Sequence, residues 1–195
     1  MPMQRLDQFR LPPGFRGRSA VVVQLWWIVQ ATLFRCSPQF AYGFRRMLLR
    51  VFGAQVGIGV LIRPSTTITY PWKVKIGDYA WVGDDAVIYS LGEIEIGAHA
   101  VISQRTYLCA GDHDYRREDF PIRGSAIRVG AHAWVATDVF VAPGVSIGCG
   151  AVIGARSSVF SDLPESMICY GSPCVAHKAR VVDSDQGAGH IAGEV

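Results

Sequence analysis

The chain has 195 residues, of which half are hydrophobic and 18% charged, with a formal net charge of +3. That length suits one well-buried domain better than two, and the composition is too apolar for a disordered main body. The net positive charge is too weak to imply nucleic-acid binding, and the arginines are spread along the chain.

Residues 1–55 read as an N-terminal extension. Its first residues show no apolar run ending at a small-residue cleavage site, so secretion is not expected and a cytoplasmic protein is. The stretch Ala20 to Phe34 is shorter than a membrane span and is interrupted by Gln24 and Gln30. Leu25, Trp26, Ile28, Val29 and Leu33 predict instead a helix packed on the rest of the protein or on a partner subunit. An interfacial helix, with Trp26 and Trp27 at a membrane surface, is the other reading. Arg35, Arg45, Arg46 and Arg50 follow it and either form a solvated helix face or favour an anionic surface. The five cysteines, Cys36, Cys109, Cys149, Cys169 and Cys174, are odd in number and form no Cys-x-x-Cys pair. Neither a disulfide framework nor a zinc knuckle is expected.

Over residues 56–164 a six-residue period takes over. Ile76, Val82 and Ile88 open three hexads, Ile96, Ile102 and Leu108 three more, and after an interruption the period runs through Val129, Val135, Val141, Ile147, Ile153 and Val159. The next position is often glycine (Gly77, Gly83, Gly97, Gly130, Gly148 and Gly154), and the fifth is small or β-branched, as in Ala80, Ala100, Thr106 and Ser157. A helix of 3.6 residues per turn cannot keep a six-residue stripe on one side, whereas short strands joined by tight corners can. Three hexads then make one triangular coil with its aliphatic residues inside, the glycine permitting the corner backbone.

This pattern resembles the hexapeptide-repeat acyltransferases, and that resemblance implies a mainly β fold, a left-handed parallel β-helix of hexapeptide repeats behind the helical extension. The handedness comes from the resemblance alone. Residues 165–195 read as a C-terminal strand and tail, with Asp183 to Val195 polar and loose.

The period fails between Leu108 and Val129, and loop 109–126 is polar and rich in turn formers. A loop thrown out of a rigid solenoid is a natural seat for function, and it holds His113 between Asp112 and Asp114. An imidazole titrates near neutrality, so it can take the proton of a hydroxyl that attacks a thioester. On the pattern alone, a solvent-exposed loop histidine without a task remains open.

The run from Ile102 to Tyr115 is similar to acetyltransferases of the colanic-acid biosynthesis type, and more distantly to galactoside and nodulation acetyltransferases. The segments Tyr70 to Gly83 and Leu91 to Gly97 carry the likeness further. It implies an acetyl-CoA-dependent acetyltransferase acting on a sugar hydroxyl of exopolysaccharide assembly, with His113 as general base and no metal. Asp114 either orients His113 or caps the loop. Trp81, Asp84 and Asp85 fall where relatives present acceptor-side groups, although surface corner residues are an equal reading. Ala136, Thr137, Ala155 and Ser161 map to the CoA groove. Ser161 and Val175 replace basic residues of the family, for which Lys178 or Arg180 could compensate by supplying a cation. A homotrimer with shared sites is implied as well. Other readings are a sugar N-acetyltransferase, a non-catalytic scaffold, and a γ-class carbonic anhydrase. The last is disfavoured because the spacing of His99, His113 and His132 does not fit its metal site.

Overall fold

The computed structural model describes residues 3–182; the polar tail expected from Asp183 onward lies outside them. Strands of two or three residues wind through three parallel sheets, which we call faces A, B and C. Face A stacks Gln55–Val56, Val74–Ile76, Ile94–Ile96, Ile127–Val129 and Ser146–Ile147. Face C stacks Thr67–Ile68, Val87–Tyr89, Tyr107–Cys109, Phe140–Val141 and Ser158–Val159. Face B runs from Leu61–Ile62 to Met167–Gly171, so the parallel stack continues past residue 164, and the antiparallel strand Cys174–Ala179 closes its edge.

All twelve aliphatic residues of the period are buried, as are the small residues at the fifth position. The corner glycines have a different reason from the one expected. None of those named above has a positive φ; the left-handed residue of each corner comes two positions later, as in Tyr79, His99 and His132, or Asp85, Arg105, Asp138 and Arg156. Glycine is required because the next coil lies too close: a Cβ on Gly77 would stand 2.5 Å from the Ala98 nitrogen, and one on Gly130 2.5 Å from that of Cys149. Coil spacing, not corner conformation, selects the residue.

The open N-terminal end is covered by two helices, α1 (Ala20–Val29, continuing as a wider π-helical turn through Phe34) and α2 (Tyr42–Val51). An uncovered end coil would leave a row of unpaired peptide groups. Trp26 Nε1 donates to the Ile68 carbonyl at 2.7 Å and Gln30 Oε1 accepts from the Ile68 nitrogen at 2.6 Å. Arg45, Arg46 and Arg50 donate to the carbonyls of Ile62, Val60 and Val56. Arg45 is wholly buried, so it belongs to no solvated face, and with Arg46 and Arg50 it holds down the first coil, whereas Arg35 stays exposed. The helix packs on the coils along one side. Trp26 is buried and Val29 partly so, but Leu25, Ile28 and Leu33 are exposed.

Candidate active site

Loop 109–126 leaves the third coil at the corner between faces C and A. Part of it forms an antiparallel hairpin, in which Gly111–His113 pairs with Ile122–Gly124 and places His113 opposite Ile122. The alternation expected of a hairpin is masked here by charge. Arg123 grips the Asp112 carboxylate at 3.0 and 2.8 Å, and Arg117 grips Asp119 at 2.9 and 2.8 Å. At the hairpin base a Cβ on Gly124 would meet the Leu91 carbonyl at 2.8 Å, so glycine lets the hairpin press on the adjoining corner.

His113 Nδ1 lies 2.9 Å from the Phe120 carbonyl oxygen. A carbonyl can only accept, so the proton sits on Nδ1 and the Nε2 lone pair is left for another partner. The Phe120 ring stacks on the imidazole at 4.3 Å and 11°, and the Phe9 ring closes from the N-terminal strap at 6.1 Å and 54°. Phe120 holds a φ of 45°, a strained conformation for a bulky side chain. Such strain costs roughly 1–3 kcal/mol and collects at functional sites. The strap is fastened by the Arg5 nitrogen, which donates to the Glu118 carbonyl at 2.6 Å, and by Lys73, whose ammonium donates to the carbonyls of Phe15 and Leu91. Neither Phe9 nor Phe120 was visible as a site residue in the sequence, where each is one aromatic in a nonperiodic segment.

Asp114 takes the loop-capping role. Its carboxylate accepts from the Arg116 nitrogen at 3.1 Å and its own nitrogen donates to the Pro121 carbonyl at 2.9 Å, which closes the turn without touching the imidazole. Cys109 is the nearby thiol in sequence. Burial pushes it above the usual thiol range, and it donates to the Gly111 carbonyl at 3.2 Å, so it is a poor source of thiolate.

The other mapped residues fall on different edges of the prism. Asp84 and Asp85, like Ala136, Thr137 and Ala155, lie at corners between faces B and C, whereas His113 and Ser161 lie between faces C and A. Asp84 accepts from Arg63 at 2.7 Å and from Ser65 at 3.1 Å, so its carboxylate ties the first coil to the second. Thr137 donates to the Gln104 carbonyl at 3.0 Å. Trp81 is exposed on face B, in a cleft of about 280 Å³ shared with Tyr42, Arg63 and Gln104. Arg180 is not with the other mapped CoA residues: it donates to the carbonyls of His132 and Gly150, both at 2.9 Å, at corners between faces A and B. Lys178 sits in the closing strand of face B. Arg63, Arg105 and Arg156 are cations on the same edge as Ala155, and of these Arg156, its neighbour in sequence, is the most exposed, 3.6 Å from Asp138. Asp138 is gripped by Arg105 at 2.7 and 2.8 Å, and these hydrogen bonds, with weaker attraction from Arg156, hold its carboxyl below the usual range.

A concavity of about 1010 Å³ is the open outer side of face A, lined by the Lys75, Glu95 and Arg128 ladder and by no residue of the hairpin. Its size reflects a broad sheet surface. Among the described residues no group of three or more His, Cys, Asp or Glu could hold a metal. His99 stacks on His132 at 5.0 Å and on Tyr79 at 5.2 Å, a ladder of corner rings repeating with the coils.

A parallel β-solenoid interrupted by a hairpin that carries one oriented imidazole matches acetyltransferases in both fold and sequence. The chain is 59% identical over 179 residues to the putative colanic acid biosynthesis acetyltransferase WcaF of Escherichia coli, covering 92% of this chain and 98% of that one. Among solved structures it superposes on a maltose O-acetyltransferase from Clostridium difficile with a TM-score of 0.75 at 23% identity, covering 84% and 90% of the two chains. A hexapeptide-repeat acetyltransferase of Vibrio cholerae, crystallised with acetyl coenzyme A, gives 0.75 at 21% identity over 85% and 92%. No family model matches the chain. The fold is the left-handed parallel β-helix, as the resemblance implied. The chain belongs to the hexapeptide-repeat acetyltransferases of the colanic acid biosynthesis type, and it is an acetyltransferase.

Proposed function

We propose that the chain moves an acetyl group from acetyl-CoA directly to a sugar hydroxyl in exopolysaccharide assembly, with His113 as the base. The observation that carries this reading is the hydrogen bond from His113 Nδ1 to Phe120, which leaves Nε2 as a proton acceptor in the loop of an acetyltransferase. The acceptor hydroxyl gives its proton to Nε2 as its oxygen forms a bond to the thioester carbonyl carbon. The tetrahedral oxyanion then collapses, the carbon–sulfur bond breaks, and the proton on Nε2 passes to the departing CoA sulfur. The half-buried Cys109 thiol, held above the usual thiol range, gives no support to an acyl-cysteine intermediate.

The named relatives point to the substrates. A relative named for colanic acid biosynthesis suggests a polysaccharide sugar, and a neighbour crystallised with acetyl coenzyme A suggests the donor. Site residues divided between two edges of the prism support a homotrimer in which one subunit's His113 edge meets the next subunit's edge carrying Asp84, Asp85, Thr137 and Ala155. Arg156 joins that second edge as the cation for the CoA phosphates, a better-placed candidate than Arg180.

The test is release of CoA thiol from acetyl-CoA across a panel of sugars, with native chain and His113→Ala at equal folded concentration. Acceptor-dependent release should fall ~10²-fold or more in the variant. Full turnover in the variant would move the base elsewhere. A preference for amino sugars over their hydroxyl counterparts would make the reaction N-acetylation.

A further inference from the structure

Helix α1 is apolar on almost every side yet buries only one. Val23 and Trp26 are enclosed, while Val21, Leu25 and Ile28, spaced i, i+4 and i+7, stand 76, 51 and 60% exposed on the opposite side. A surface helix ordinarily turns charged and polar residues outward. Here Trp27 flanks the apolar stripe and Leu33 extends it, both exposed. Exposed Arg18 precedes the helix and exposed Arg35 follows its last turn, so cations bracket the stripe.

The charge of this region is lopsided too. Residues 1–52 hold eight arginines, no lysine and a single acid, Asp7, whereas the rest of the chain carries more acids than bases. Arg45, Arg46 and Arg50 are engaged with carbonyls of the first coil, but carbonyls do not cancel their charge.

Two occupants could cover such a stripe. A second copy meeting the stripe with its own, about a twofold axis, would set Arg18 and Arg35 of one chain near the same residues of the next, and like charges brought together weaken an interface. An anionic bilayer takes every feature without conflict: aliphatic side chains enter the acyl boundary, an indole sits among headgroups, and arginines pair with lipid phosphates. Among the described residues no helix is long and apolar enough to cross a membrane, so the contact would lie in the interface plane.

We propose that the helical end of the prism docks on an anionic membrane surface through α1. This goes beyond the acetyl-transfer reading and does not depend on it. Docking would also bring the active site to the membrane, because Val23 of α1 packs in one cluster with Leu91 and the hairpin residue Ile122.

The experiment is flotation of the full chain with vesicles of phosphatidylcholine containing phosphatidylglycerol, against vesicles of phosphatidylcholine alone. The native chain should float with the anionic vesicles only, less so at high salt. Leu25→Glu with Ile28→Glu should cut partitioning at least tenfold, as should Arg18→Glu with Arg35→Glu, each without a change in molar mass by light scattering or in thiol release with a soluble acceptor. Brominated phospholipids should quench the native indole fluorescence, with the quenching largely lost in Trp27→Phe; this readout needs no charged variant to fold. Absence of flotation, equal flotation with both vesicle types, or a change in molar mass in the Leu25 and Ile28 variant would overturn the proposal, the last by assigning the stripe to another copy.

Discussion

In the coils, a residue's type follows from the distance to the next coil; in the hairpin, it follows from what the imidazole needs. Gly130 is glycine because a side chain there would run into Cys149, and Val135 is aliphatic because it faces the prism axis. Phe120 has no such reason. It stands in a conformation that disfavours it, and what it does there is offer a carbonyl and a ring to His113. The two regions should therefore fail differently when altered, the coils in stability and the hairpin in rate.

The largest effect expected is from His113→Ala, which should lower acceptor-dependent acetyl transfer by ~10² to 10⁴ while leaving the melting temperature within a few degrees of native. A matching loss of stability would erase the contrast between the regions. Gly130→Ala is its counterpart in the coils. With a Cβ 2.5 Å from the Cys149 nitrogen, two coils must move apart, and a destabilisation of about 3 kcal/mol is expected in denaturant melts. Residual activity per folded molecule should stay close to native. Phe120→Gly sharpens the comparison, since it relieves the left-handed strain and removes the stacked ring together. We expect kcat to fall about tenfold with no loss in melting temperature, whereas a fall in melting temperature alone would make Phe120 a packing residue.

The smallest effect belongs to Asp138→Asn, which tests the ion pairs between coils. Because Arg105 lowers the Asp138 pKa in the folded state, the stabilisation is in force above the unfolded value of about 3.8 and is lost as pH falls through the lowered folded value. The gap in melting temperature between native and variant should be steady from neutral pH to about pH 5 and should close below about pH 4. A gap that persists in acid would mean that the contribution is steric.

The prism was legible because its rule is local and repeated. Each aliphatic residue of the period is buried, and a six-residue step leaves no helical alternative. The corner glycines were found for an incomplete reason, because closeness to a neighbouring coil is a relation between residues about 20 positions apart that a single hexad does not display. The hairpin was legible only as a break in the period with a histidine inside it. What its sequence hides is long-range: Phe9 meets His113 from 104 positions earlier in the chain, and the places of Ser161 and Arg180 on edges other than that of Thr137 and Ala155 appear only once the coils are stacked. The N-terminal helix was legible in part: its apolar residues called for a covering surface, and the fold supplies one on the side of Val23 and Trp26.

The arginines that hold the first coil have a consequence for the size of the molecule. A stack of identical rungs is a one-dimensional lattice, and nothing in the hexad says where growth should stop. By occupying the peptide oxygens of Val56, Val60 and Ile62, Arg50, Arg46 and Arg45 block the end on which a further rung, from this chain or a foreign one, would be templated. The extension that precedes the repeat is thus a terminator as well as a cover, and it keeps a potentially endless fibre at the length of one enzyme.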